Sequence, residues 1–160
     1  MSIVEESGAK RGLGEKLTLG IDKIIWGLYK AEAGKTSSET FSARFSGLVN
    51  KSSKSLLVVD SQFLSANDLR LAAKRGVSVE VISKDDWVNP VLKENLETNG
   101  VKVHLLEPQI FDQINPRFIV ADGKNIMFMA LKKEEYAYVE RSGYLGKMFS
   151  KDFKKLTKPV

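Results

Sequence analysis

The segment Asn115-Pro-Arg117-Phe-Ile-Val-Ala-Asp122-Gly123 brings an amide, a guanidinium and a carboxylate onto one short stretch of chain. Arg117 has the chemistry to hold a phosphate, because its planar fork presents paired N–H donors to an oxyanion. The amide nitrogen of Asn115 has a delocalised lone pair. It can hydrogen-bond but cannot attack phosphorus. Arg117 is therefore a candidate for phosphate binding, and Asn115 and Asp122 share its segment as candidate polar partners.

A second constellation lies near the C-terminal end. Within residues 141–160, Arg141, Lys147, Lys151, Lys154, Lys155 and Lys158 stand against one acid, Asp152. Six cations less one anion give +5, which equals the formal net charge of the whole chain. Such a segment attracts polyanions, and these six residues are the candidates for contact with a nucleic-acid backbone. The competing reading is a solvated helix face.

Other groups fail on chemistry. The chain has no cysteine and one histidine, His104, which excludes disulfides, thiolate metal sites and a multi-histidine site. No metal and no cofactor are expected. Gly34-Lys35-Thr36 resembles the end of a phosphate-binding P-loop, but the full motif needs glycine where Tyr29 stands. Asp85 and Asp86 are adjacent, and neighbouring loop side chains seldom converge on one ion. His104 sits in an alternating strand and reads as structural. Tyr136, Tyr138 and Tyr144 lie near the basic tail and could stack on bases, although strand tyrosines more often pack on a sheet. The apolar runs are too short to span a bilayer, and residues 1–14 lack the apolar core of a secretory signal, so a cytoplasmic protein is expected.

The elements that must position these groups follow from periodicity. Residues 1–14 read as a flexible tail and residues 15–160 as one α/β domain. Ile21, Ile24, Ile25 and Leu28 predict a helix ending near Gly34. A capping-box pattern over Thr36–Glu39 opens a second, with Phe41, Phe45, Leu48 and Val49 on one face. Ser55–Val59, Val77–Val81 and Val101–Leu106 read as strands. Between them lie helices capped by Asp68 or Asn89 neighbourhoods and stopped by Gly76 and Gly100. Strand–helix alternation predicts a mostly parallel central sheet with helices on both faces. Arg117–Ala121 and Asn125–Met129 flank Asp122-Gly123, a hairpin signal, and Tyr136–Val139 is a further strand candidate. Leu145, Met148, Phe149, Phe153 and Leu156 place an apolar stripe on a final helix, with the lysines opposite.

The Asn115–Gly123 segment resembles the H-x-K-x4-D-G motif of the phospholipase D superfamily. Asn115 stands at the histidine position, Arg117 at the lysine and Asp122 at the aspartate. The order of parts is similar too: Arg75-Gly76-Val77 between a helix and a strand, Gly100 before the next strand, then the motif and a phenylalanine-rich last helix. The resemblance covers residues 38–157 and implies a phospholipase D-like fold. In that family the histidine attacks phosphorus and forms a covalent phosphoenzyme. Members continue with Gly-Ser and Asn, where this chain has Met129, Ala130 and Lys132.

These departures predict a non-catalytic, pseudoenzyme-like binding module associated with DNA or RNA. The family builds its site from two motifs about a twofold axis, so the resemblance implies a homodimer or a partner carrying a similar domain. One alternative is a phosphodiesterase or nuclease using a non-standard nucleophile such as Asp112 or His104. Others are a ligand-sensing or protein-interaction scaffold and, more weakly, a membrane-surface protein.

Overall fold

The computed structural model describes residues 38–59, 66–86, 89–114, 116–130 and 135–158. The tail expected over residues 1–14, the helix expected to end near Gly34, the Gly34-Lys35-Thr36 segment, Asn115 and Lys132 lie outside the described residues. In chain order the elements are α1 (Ser38–Lys51), β1 (Ser55–Val59), α2 (Ala66–Lys74), β2 (Ser78–Lys84), α3 (Asn89–Thr98), β3 (Lys102–Leu106), α4 (Pro108–Phe111), β4 (Arg117–Ala121), β5 (Asn125–Ala130), β6 (Glu135–Val139) and α5 (Gly143–Thr157).

The strands form one sheet in the order β3-β2-β1-β4-β5-β6. β1 pairs in parallel with β2, and β2 with β3. β4 runs antiparallel to β1 and to β5, and β5 antiparallel to β6. The sheet is therefore mixed, which corrects the expectation of a mostly parallel one. The reason lies in the connections. α2 and α3 each carry the chain back across the sheet, as a parallel pairing requires. Only residues 107–116 join β3 to β4, and their one helix, α4, is four residues long. A link that short cannot recross the sheet, so β4 starts at the edge where β3 stopped. β5 then returns through the Asp122-Gly123 turn, whose residues both have positive φ (56° and 71°), and Lys124 N donates to Ala121 O at 3.2 Å.

Gly76 and Gly100 end their helices by the same pair of bonds. Val77 N donates to Ala72 O and Val101 N to Leu96 O, while the glycine amides reach Ala73 O and Glu97 O. Both glycines sit at positive φ, as this helix stop demands. β2 runs on past Val81 to Lys84, because Ile82 and Ser83 are covered on both sides.

Two cores sandwich the sheet. Phe45, Leu69 and Leu96 from α1, α2 and α3 pack on one face, against residues that include Val58, Val81 and Ile119. Phe111 of α4 and Leu145, Phe149, Phe153 and Leu156 of α5 pack on the other, against Ile82, Phe118, Val120 and Phe128. β4 alternates between them, so Arg117–Ala121 reads as an unbroken apolar run after its first residue.

Candidate functional site

β1, β2 and β3 end at one edge of the sheet, and the antiparallel β4 begins there. Arg117, the first residue of β4, lies at this edge, and Lys84, the last of β2, lies there too. The Arg117 guanidinium stacks over the Phe111 ring, 4.4 Å from its centroid. Asp112 follows Phe111, and its Oδ1 lies 2.7 Å from Lys84 Nζ and 3.9 Å from Arg117 Nη2. The Arg117 side chain is 16% exposed and that of Asp112 54%. At such exposure these pairs contribute about 0–1 kcal/mol each, so they aim the guanidinium more than they stabilise the fold.

Lys84 and Arg117 thus share the Asp112 carboxylate at this edge. β5 places Met129 opposite Arg117, so a thioether side chain stands beside the arginine. Lys84, Phe111 and Asp112 were not singled out with Arg117 in the sequence. The signal was Pro108, which can open a helix at its first position, but a four-residue helix leaves no periodicity to read.

Asp122 is not part of this cluster. It follows the last residue of β4, roughly 16 Å along the strand from Arg117. Its carboxylate accepts the backbone N–H groups of Lys54 (2.7 Å), Ser53 (3.1 Å) and Ser55 (3.2 Å). Burial alone would raise its pKa. The three amides, led by Lys54, and nearby Lys124 outweigh burial and hold the carboxyl below its ordinary value. Asp122 thus ties the β4–β5 turn to the start of β1. Arg117 and Asp122 are not brought together, and Asn115 lies outside the described residues.

His104 is on β3, separated from β4 by β2 and β1, roughly 14 Å across the sheet. Its Nε2 lies 3.0 Å from Glu80 Oε1, and its ring meets Phe153 edge-on at 6.3 Å. Asp85 and Asp86 are exposed, and among the described residues no three acidic, histidine or cysteine side chains gather for a metal ion. No helix among the described residues is long and apolar enough to cross a membrane.

The basic segment forms α5. Ser142 caps it, accepting Leu145 N at 3.2 Å. Leu145, Phe149, Asp152, Phe153 and Leu156 are buried, while Lys147, Lys151, Lys154 and Lys158 are exposed and Lys155 is half-buried. Arg141 is exposed just before the cap, at φ 58° with its N–H on Asn125 Oδ1. Asp152, the one acid of the helix, is 9% exposed, with Oδ2 lacking a hydrogen-bond partner. Burial pushes its pKa up, partly offset by Lys155 and Lys151. The outward face of α5 is consequently cationic without an opposing carboxylate of its own. Tyr138 is half-buried, bonded to Glu140 and covered by Arg44 at 5.5 Å. Tyr144, in contrast, is 70% exposed. The side chain of Tyr136 lies outside the described residues.

No protein-family model matches the chain, and no curated protein matches it in sequence. Solved structures do share its fold. TrmBL2, an archaeal chromatin protein described as showing a novel mode of DNA binding, aligns with a TM-score of 0.59 at 14% identity. That match covers 96% of this chain but 62% of TrmBL2, so this chain spans less than two thirds of its length. Nuc, a phospholipase D family member from Salmonella typhimurium, aligns at 0.57 with 12% identity, over 74% of this chain and 86% of Nuc. NucT from Helicobacter pylori aligns at 0.56 with 14% identity, over 73% of this chain and 87% of NucT. Likeness at these identities establishes a phospholipase D-like fold and leaves the chemistry to the residues.

Proposed function

We propose that this phospholipase D-like chain is a non-catalytic module that binds nucleic acid through the outer face of α5. The observation that carries the reading is the sorting of charge on that helix. Four lysines, Lys147, Lys151, Lys154 and Lys158, stand exposed, while its single carboxylate, Asp152, is turned to the core. A row of ammonium groups on a rigid element attracts a phosphate backbone and carries little sequence preference, since phosphate contacts position without specifying. The DNA binding described for TrmBL2, which shares the fold, agrees with this reading.

The non-catalytic part rests on the residues around Arg117. Asn115 occupies the histidine position of the motif, Met129 stands beside Arg117, and Asp112 is committed to Lys84. His104, on β3, is engaged by Glu80, and β2 and β1 lie between it and β4. The cluster at Arg117 is read as an anion-holding point that can supplement the helix. The same reading includes a homodimer or a partner of similar fold, and a place in the cytoplasm. Light scattering that reports a monomer at micromolar concentration would remove the homodimer.

Titration of a labelled oligonucleotide at two salt concentrations tests binding. Counterion release makes affinity fall steeply between about 50 and 200 mM salt when phosphates are contacted. An absence of binding, or binding indifferent to salt, overturns the reading. Incubation with a chromogenic phosphodiester, with EDTA or added divalent metals, tests the non-catalytic part. Neither the native chain nor Asn115→His should release product above buffer, because the neighbouring positions are altered as well. Turnover that persists through purification and is lost in Asp112→Ala or His104→Ala would establish a phosphodiesterase instead.

A further inference from the structure

Tyr144 is the one large aromatic side chain that stands out from the surface among the described residues, at 70% exposure. It is the second residue of α5. Helical geometry puts it on the lysine face: Lys147 lies three residues on, Lys151 seven and Lys155 eleven, intervals that return to the same side of a helix. Buried Leu145, Phe149, Asp152 and Leu156 occupy the opposite side. An exposed tyrosine is unremarkable alone, since folded proteins leave many apolar atoms in water. Its setting gives it meaning. Glu140, the nearest acid before the helix, is engaged by Tyr138. The ring therefore has cations on both sides along the chain, Arg141 before it and Lys147 after it.

Building on the nucleic-acid reading above, we infer that this face is a single-strand platform: Tyr144 stacks on an unpaired base while Lys147, Lys151 and Lys154 hold the phosphates beside it. In a duplex both faces of each base are covered by neighbouring bases, and a side chain at phosphate height reaches no π surface. An unpaired strand offers those faces, and any base suffices, because stacking is tolerant of sequence. Lys147 to Lys154 spans about 10 Å of helix rise, so phosphates along a short stretch of strand fall within reach of the lysines. The ring supplies an attraction that salt leaves in place. The lysines supply one that salt removes.

The experiment compares the full chain with Tyr144→Ala and Tyr144→Phe, by fluorescence anisotropy with a labelled oligothymidylate and with a labelled duplex of equal length. Tyr144→Ala should weaken single-strand binding by between about fivefold and a hundredfold, the range for losing one stacked base. Duplex binding and the salt slope should stay as they were, and Tyr144→Phe should bind like the parent. At 70% exposure the ring holds no core together, so folding is not at stake. If Tyr144→Ala leaves single-strand binding unchanged while lysine substitution abolishes it, the stacking inference falls and the nucleic-acid reading stands. Equal losses on single strand and duplex also overturn the single-strand assignment. Failure of the parent to bind either probe overturns both.

Discussion

Gly146 of α5 lies directly against Gly123 in the β4–β5 turn. A Cβ at position 146 would overlap the Gly123 carbonyl oxygen and stand 3.2 Å from Lys124 N. Ser142 N donates to Lys124 O at 2.8 Å and Gly146 N to Ser142 O at 2.9 Å, so the helix start and the turn are held in register. The obstructing atoms are backbone and cannot rotate away. Gly146→Ala should cost roughly 1–3 kcal/mol, the usual range for overpacking. Gly47→Ala is the control: it lies inside α1 with nothing within 4 Å of the added methyl. That change should stabilise by about 0.5–1 kcal/mol through helix propensity. Thermal melts of the two variants should shift in opposite directions.

Asp122 locks the same turn to the residues before β1, and its contribution depends on pH. Its folded pKa is held below the ordinary carboxylate value, so the stability it gives is fully present above that ordinary value. That stability is lost as pH falls through the lowered folded value. Asn tolerates the positive φ of this position and keeps one acceptor oxygen. Asp122→Asn should therefore cost on the order of 1–2 kcal/mol at pH 7, where charged hydrogen bonds are lost. Urea unfolding at pH 7 and in strong acid should show the gap closing in acid. A gap of equal size at both would show that charge on Asp122 contributes nothing.

Both contacts join residues far apart in sequence, so no local periodicity announces them. The hairpin at Asp122-Gly123 was legible because both residue types accept positive φ, and the apolar stripe of α5 was legible because it repeats at helical spacing. Strand–helix alternation points to a parallel sheet, yet the cue for antiparallel pairing is present as well: a hairpin is antiparallel by construction, and residues 107–116 are too few for a crossover. At the candidate site, the motif grouped Arg117 with Asp122 because they share a segment. The strand between them carries their side chains to opposite ends. Lys84, Phe111 and Asp112, which do surround Arg117, come from other elements, and no local pattern links them. Tyr144 and the inward turn of Asp152 needed the helix placed on its core before either could be seen.

Asp152 gives a pH prediction of the opposite sign. Burial raises its folded pKa, with Lys155 and Lys151 only partly compensating, so its ionised form works against the fold at neutral pH. That penalty shrinks as pH falls through the raised folded value, and it is gone below the ordinary carboxylate value, where both states are protonated. Asp152→Asn removes the charge while keeping the shape. It should raise the melting temperature at pH 7 and lose that advantage in acid. A lower melting temperature at pH 7 would mean that the carboxylate meets a favourable partner and is not simply stranded in the core.

Lys147, Lys151, Lys154 and Lys158 are exposed, whereas Lys155 is half-buried and helps to offset the charge of Asp152. Lys151 also lessens the charge penalty of Asp152, so replacing the four exposed lysines by alanine should lower the melting temperature slightly while the far-UV circular dichroism spectrum of the folded chain stays unchanged. Binding should weaken by a similar factor for oligonucleotides of different sequence, because phosphates carry no base information. The slope of log affinity against log salt should become shallower by roughly 0.7–0.9 for each phosphate contact removed, the lower figure applying to single strands. Adding Lys155→Ala should bring a stability loss as well, since the fifth lysine faces Asp152 from its own helix. An unchanged slope in the fourfold variant would show that this face meets only water, and the charge sorting on α5 would then need another explanation.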